Sequence, residues 1–305
     1  MDKDGESHPN ICAFLLPGQG SVSLEMAAPW KATPSWSLVD EISEGSGCDV
    51  AAILDIDDLS LLIRTDNAQI ATFTVSLLSY TEWTRRSNDV IRTVLGHSLG
   101  ELSALAVGGY LSIQDAAKLV RTRGLAMQRA SGEHPGSMSA LMGSTESSLH
   151  SLQEYCQKYG DVWIANINGE GQIVVSGSQA SLLRLQSEHR DVGWRRCSPL
   201  NVGGAFHSPM MSLALEEFSE CLNAVTWQKP RIPVLANVNG TVHPGGAATI
   251  DLLLRQLVEP VDFLSCVVNI PTEVDKTVEA APGTTLSGLV SRIRKFSLHE
   301  TLERG

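Results

Sequence analysis

Gly96-His97-Ser98-Leu99-Gly100 has the form G-x-S-x-G. It follows the apolar, β-branched run 90–95 (VIRTVL) and precedes the helix-forming stretch 101–107. In that setting the motif marks a nucleophile elbow, a sharp turn that lifts a serine hydroxyl off the end of a strand. The glycines leave room for the turn, and the helix N-terminus behind it offers backbone N–H groups and a positive dipole end to developing negative charge. A serine is inert without a base. Of the eight histidines, His8 lies in a polar terminus, and His134, His150, His189 and His299 sit in polar stretches where solvation is expected. His243 precedes Pro244-Gly245 in an expected loop and is also assigned to solvent. His97 adjoins the serine but points elsewhere in an elbow. His207 lies in the Gly-rich turn Gly203-Gly204-Ala205-Phe206-His207-Ser208-Pro209 after a short strand, where a lone histidine is more often structural than catalytic.

The elements that would position these groups follow from periodicity. Residues 11–16 (ICAFLL) form a continuous apolar run, as in a strand buried on both faces, and Pro17-Gly18-Gln19-Gly20 ends it in a tight turn. Over 68–83, Ile70, Phe73, Leu77 and Leu78 recur at helical spacing. From 137 to 200 the segments SMSALM, TESSLHSLQEYCQKY, DVWIANI, GQIVVSG, SLLRLQSEH and WRRCSPL read β-α-β-β-α-β, the ferredoxin-like order. In the first of these helices Thr145 is the expected cap, with Leu149, Leu152 and Tyr155 on one face. The reading is a small domain (131–199) inserted into a larger α/β domain (10–130 and 200–305), whose second part alternates helices with short strands such as 232–237.

Composition sets the outer bounds. The 305 residues are 43% hydrophobic and 19% charged, enough for a buried core. Its 23 basic and 34 acidic side chains leave a net charge of −11, which argues against binding nucleic acid or an anionic membrane. The six cysteines (Cys12, Cys48, Cys156, Cys197, Cys221, Cys266) form no C-x-x-C pair and read as scattered reduced thiols. No apolar run reaches the roughly 18 residues of a membrane span. MDKDGESHPN lacks the basic and apolar regions of a signal peptide, so a cytoplasmic location is expected.

On longer stretches the chain resembles the malonyl-CoA:acyl-carrier-protein transacylases and the acyltransferase domains of polyketide synthases. The matching residues are Leu16-Pro17-Gly18-Gln19-Gly20, Gly96-His97-Ser98-Leu99-Gly100-Glu101, Arg121-Thr122-Arg123-Gly124 with Met127-Gln128, Asn166-Ile167-Asn168 with Gly171-Gln172-Ile173-Val174-Val175-Ser176-Gly177, and Gly204-Ala205-Phe206-His207-Ser208-Pro209-Met210-Met211. A weaker match runs from Pro282-Gly283 to Leu286-Ser287-Gly288-Leu289. They keep the family's order from 11 to about 294. Ile70 is a departure, standing where many relatives carry Pro.

The resemblance implies an α/β-hydrolase-like large domain with an inserted ferredoxin-like domain, and it implies roles. Ser98 is the acylated nucleophile and His207 its base, oriented by the backbone carbonyl of Gln256. The N–H groups of Gln19 and Leu99 form the oxyanion hole. Arg123 pairs with the free carboxylate of a malonyl group, and His97 and Phe206 border the substrate. The implied reaction is ping-pong transfer of malonyl from a coenzyme A thioester to the phosphopantetheine thiol of an acyl carrier protein. That carrier is expected to be a separate chain, in a fatty-acid or polyketide pathway. No bound cofactor or metal, no nucleic-acid or membrane partner and a monomer are expected. Malonyl is expected over methylmalonyl, because Leu99 and Phe206 stand where methylmalonyl-selective relatives carry Gln and Ser. Arg195-Arg196 and Arg292/Arg294/Lys295 are the basic clusters an acidic carrier could meet. Two alternatives stay open: a hydrolase clearing stalled acyl chains, for which a buried Arg123 would have no use, and a non-catalytic subunit, which would be free to lose Ser98 or His207.

Overall fold

The computed structural model describes residues 9–145 and 148–303; His8 and positions 146–147, next to the expected Thr145 cap, lie outside the described residues. In chain order the strands are β1 (Ile11–Leu16), β2 (Val90–Gly96), β3 (Ser137–Ser144), β4 (Val162–Gly169), β5 (Gln172–Gly177), β6 (Trp194–Pro199), β7 (Val234–Leu235), β8 (Val261–Asp262), β9 (Lys276–Glu279) and β10 (Leu298–Thr301). They form two five-stranded sheets in the orders β10-β9-β1-β2-β7 and β6-β3-β5-β4-β8.

Every pairing in the first sheet is parallel, so helices must cover both its faces. The apolar run of β1 divides accordingly. Cys12, Phe14 and Leu16 enter the core beneath the long helix Thr65–Arg86. Ala13 and Leu15 enter a second core with the helices Phe263–Val268 and Thr285–Ile293. Val94 and Leu95 of β2 split the same way, as period-2 alternation requires. Thr65–Arg86 contains the helix expected over 68–83, and Ile70, Phe73, Leu77 and Leu78 are all buried. Of the strand expected over 232–237 only Val234–Leu235 pairs. Pro233 has no N–H to donate, and at Ala236 the backbone turns to bond Thr241.

The second sheet is antiparallel in β3, β4, β5 and β6, with the ferredoxin-like order read from the sequence. β8, from the chain's later part, adds to β4 in parallel. One face packs on the helices Ser148–Tyr159 and Gln179–Glu188 through Leu141, Leu152, Val175, Leu185 and Trp194. The expected inner face of the first helix needs correction: Leu152 and Tyr155 are buried, whereas Leu149 is 39% exposed. Ser148 takes the inner position, one helical turn before Leu152, and its hydroxyl bonds the Gly193 carbonyl at 2.7 Å. Met138 and Ala140 on the opposite face of β3 join the large core. All six cysteines are free, and no helix among the described residues is long and apolar enough to cross a membrane.

What matters for chemistry is the register of β1 on β2. Leu16 lies opposite Gly96, so the turn at Gln19 and the elbow at Ser98 leave the same edge of the sheet side by side. That carboxyl-end edge is where open α/β sheets bind ligands. The two segments touch closely: a Cβ at Gly100 would lie 2.0 Å from the Leu16 carbonyl oxygen. Gly100→Ala is therefore expected to destabilise the protein by about 1–3 kcal/mol or more. A lowered urea midpoint would check this, and an unchanged midpoint would contradict the packing described.

Candidate active site

Ser98 holds φ 53° and ψ −107° between the end of β2 and the helix Leu99–Val107. Such a conformation is costly for a residue with a Cβ and persists only when its surroundings impose it. Here they do. Asn237 accepts the Ser98 N–H at 2.8 Å through Oδ1 and donates through Nδ2 to the Gly96 carbonyl at 2.7 Å, clamping both sides of the turn. Gln256 Nε2 donates to the Ser98 carbonyl at 3.0 Å. A Cβ at Gly96 would fall 2.0 Å from the Gly100 carbonyl, so the outer residues of the motif are small because the elbow closes on itself.

His207 also has positive φ, 56°. Its Nε2 lies 2.8 Å from Ser98 Oγ, and its Nδ1 lies 2.6 Å from the Gln256 carbonyl oxygen. A carbonyl only accepts, so Nδ1 carries the hydrogen and Nε2 presents a lone pair to the serine hydroxyl. Burial, then the nearby Arg123 charge, lowers the His207 pKa from 6.5 to about 3, against a smaller opposing effect of the Gln256 carbonyl. The imidazole is thus neutral at pH 7 and able to accept a proton.

Arg123 projects from the helix Ile113–Glu133 and is 1% exposed. Nη1 donates to Gln69 Oε1 at 2.8 Å; Nη2 donates to Gln256 Oε1 at 2.9 Å and to Ser98 Oγ at 3.1 Å. These partners are all neutral. Burial lowers the guanidinium pKa to about 10, opposed by the more distant Glu101, which leaves it cationic at neutral pH. A cation enclosed by neutral acceptors and touching a nucleophile's oxygen is an expensive arrangement, suited to a ligand that brings a negative charge.

Ser98 and His207 open onto a cavity of about 280 Å³ between the two sheets, also bordered by Gln19, His97, Asn166 and Phe206. His97 is aimed at the wall by a 2.9 Å contact of Nε2 with Asn168 Oδ1, and burial lowers its pKa. Phe206 is 4% exposed and belongs both to the cavity lining and to the main core. The Asn166 carboxamide oxygen is buried without a partner among the described residues. The N–H groups of Gln19 and Leu99 have no intramolecular acceptor among the described residues, so two donors stand free beside Ser98. Arg123, Gln256 and the Leu99 side chain lie behind Ser98, with Leu99 packed in the core. The Leu99 side chain, expected to bear on the acyl group, is packed in the core and does not border this cavity.

Three further residues enter the site. Gln69 lies one residue before Ile70 in the helix Thr65–Arg86; its Nε2 donates to Met127 Sδ at 3.3 Å, which turns Oε1 to Arg123. Asn237 follows a strand too short to advertise it. Glu101, the last residue of the matched elbow segment, is wholly buried. The expectation for His243 was wrong: it is 2% exposed, its Nε2 lying 2.6 Å from Glu101 Oε1. Its loop folds inward because His243 N–H bonds Val234 and its carbonyl accepts the Tyr110 hydroxyl at 2.9 Å.

Known proteins resemble the chain over nearly its whole length. The profile of the acyl transferase domain family matches residues 13–295. The chain is 32% identical over 286 residues to the malonyl CoA-acyl carrier protein transacylase of Escherichia coli strain K12, covering 92% of each chain. It is 34% identical over 287 residues to the Bacillus subtilis transacylase of the same name, covering 93% of this chain and 90% of that one. Its structure resembles that of malonyl-CoA:acyl carrier protein transacylase from Xanthomonas oryzae pv. oryzae, with TM-score 0.89 at 34% identity over 96% of this chain and 94% of the other. Another similar structure is a malonyl-transacylase in complex with a type II polyketide synthase acyl-carrier protein, with TM-score 0.88 at 30% identity over 97% of both chains.

A base whose pKa is about 3 has a visible signature. His207 must be neutral to accept the serine proton, so reactivity is lost only as pH falls through that low value. The reaction of Ser98 with a small activated ester is expected to be nearly flat from about pH 5 to 8, with its acid limb below about 4. An acid limb near 6.5 in single-turnover rates would contradict the assignment.

Proposed function

We propose malonyl transfer on the premise that this chain belongs to the acyl transferase domain family: the protein moves a malonyl group from coenzyme A to the phosphopantetheine thiol of an acyl carrier protein through a malonyl-Ser98 ester. The observation that carries this reading is the Arg123 guanidinium, buried among neutral partners 3.1 Å from Ser98 Oγ. Once a malonyl group is esterified to Oγ, its carboxylate carbon is three bonds away, roughly 3–4 Å. The guanidinium is within reach of that carboxylate and offers it two parallel N–H donors.

Ser98 Oγ attacks the thioester carbonyl carbon while its proton passes to His207 Nε2. The oxyanion of the tetrahedral intermediate is met by the N–H groups of Gln19 and Leu99, a donor of this kind contributing about 2.7–4 kcal/mol. Collapse breaks the carbon–sulfur bond, and the departing coenzyme A sulfur takes the proton from His207. The carrier's thiol then gives its proton to His207 and attacks the ester carbonyl, and Ser98 leaves with the proton returned. The substrate carboxylate also assists the base: by offsetting the Arg123 charge it removes one of the two main causes of the low His207 pKa. Arg292, whose Nη1 meets Gln172 Oε1 at 3.3 Å at the cavity rim, and the exposed Lys295, Arg195 and Arg196 are cations available to an acidic carrier. Arg294 is engaged with the carbonyls of Ile270 and Pro271. A hydrolase of neutral acyl chains would leave Arg123 buried without a counter-charge.

Incubation with malonyl-CoA is expected to give a malonyl adduct by intact mass, absent in Ser98→Ala. An equal adduct in that variant would place the nucleophile elsewhere.

Acyl selection gives an independent check. In competition with acetyl-CoA and methylmalonyl-CoA the wild type should take malonyl first, Phe206 crowding the α-methyl branch. Arg123→Ala should lower the malonyl-to-acetyl specificity ratio by roughly ten- to a hundredfold, the worth of a charged hydrogen-bonded contact. An unchanged ratio would remove Arg123 from substrate recognition.

A further inference from the structure

Glu101 and His243 do not border the cavity, and the chemistry above does not use them. Both side chains are fully buried, which for an acidic side chain is rare without dedicated partners. The Glu101 carboxylate collects three donors. His243 Nε2 lies 2.6 Å from Oε1, the Asn237 backbone N–H lies 3.2 Å from the same oxygen, and Gln256 Nε2 donates to Oε2. Two of these donors belong to the residues that build the site. Asn237 clamps the Ser98 turn. Gln256 orients His207 through its carbonyl, holds the Ser98 carbonyl through Nε2 and holds Arg123 through Oε1.

The amide of Gln256 could face either way in a symmetric environment. Here a carboxylate, which only accepts, stands on one side and a guanidinium, which only donates, on the other. Nε2 must face Glu101 and Oε1 must face Arg123. The amide thus passes the orientation of one buried charge to the other, and that orientation holds only while Glu101 keeps its oxygens directed at Gln256 and Asn237. His243 supplies the side-chain donor that fixes the carboxylate's other end, and its own placement is set by the Val234 and Tyr110 contacts.

We propose that Glu101 and His243 act as a pair of positioning residues, which through Gln256 set the Arg123 guanidinium for a carboxylate-bearing acyl group. The proposal rests on the malonyl-transfer reading. It assigns the pair a function in selection among acyl groups, beyond a share in stability. Without the donor at 243 the carboxylate swings, the amide loses its imposed direction, and Arg123 is no longer held at the distance a malonyl carboxylate needs.

The test compares His243→Leu with His243→Gln. Leucine removes the donor; glutamine keeps an N–H at the end of a side chain of suitable length. The readout is the ratio of single-turnover acylation rates with malonyl-CoA and acetyl-CoA. A fall in the fraction of folded protein lowers both rates equally, so the ratio does not respond to a merely structural role. His243→Leu is expected to acylate with malonyl about 10–100-fold more slowly, in keeping with small misplacements of positioned groups. Its malonyl-to-acetyl ratio should fall at least about tenfold, while His243→Gln should keep the wild-type ratio within about threefold. If His243→Leu does not fold, Glu101→Gln makes the same test, because it keeps the shape while replacing one acceptor oxygen with a donor. A wild-type ratio in either folded variant, or a glutamine variant at 243 as impaired in ratio as the leucine one, would overturn the proposal. Failure of the wild type itself to form a malonyl adduct would overturn the underlying reading instead.

Discussion

A guanidinium cation held away from water by neutral acceptors dominates the energetics of this site. Desolvating Arg123 costs several kcal/mol that amide oxygens and a hydroxyl repay only in part. The surrounding residues are consequently specialised. Gln69 is turned by Met127 so that its oxygen faces the cation. Gln256 is turned by Glu101 to the same end. Nearby, His207 has lost much of its basicity to burial and to the same positive field. A serine placed against that cation is one whose developing negative charge is already provided for.

The scaffold supplies this with little local invention. A parallel sheet lets β1 and β2 end together, so that register alone sets the Gln19 turn beside the Ser98 elbow. Ser98 and His207 both hold positive φ; Asn237 accepts the Ser98 N–H, and the His207 ring is anchored on the Gln256 carbonyl. This is the usual economy of strained functional residues, tolerated because distant parts of the chain over-determine them.

Much of this was legible in the residues themselves. The apolar run of β1 announced a strand buried on both sides, and the β-α-β-β-α-β order of the small sheet could be read from periodicity. Ser98 was legible because its glycines and its strand-to-helix setting are local. His207 was not, since its neighbours say nothing of a serine 109 positions away; only the resemblance to a family singled it out. His243 was misread for a related reason. A His-Pro-Gly sequence describes a turn correctly but cannot tell whether the turn faces water, and here a hydroxyl from Tyr110 and a backbone pairing draw it under the sheet. Gln69 and Asn237 carry no pattern at all, because amides chosen to satisfy a buried charge are specified by distance rather than by spacing along the chain.

The short strand β8 follows Gln256 by only a few residues, and it belongs to the small sheet rather than the large one. One stretch of chain therefore carries both the carbonyl that steadies the imidazole and a strand paired with β4, whose Asn166 and Asn168 line the cavity. The anchor of the imidazole and the edge of the small sheet are thus tied through a few residues of backbone, so the placement of one fixes the placement of the other.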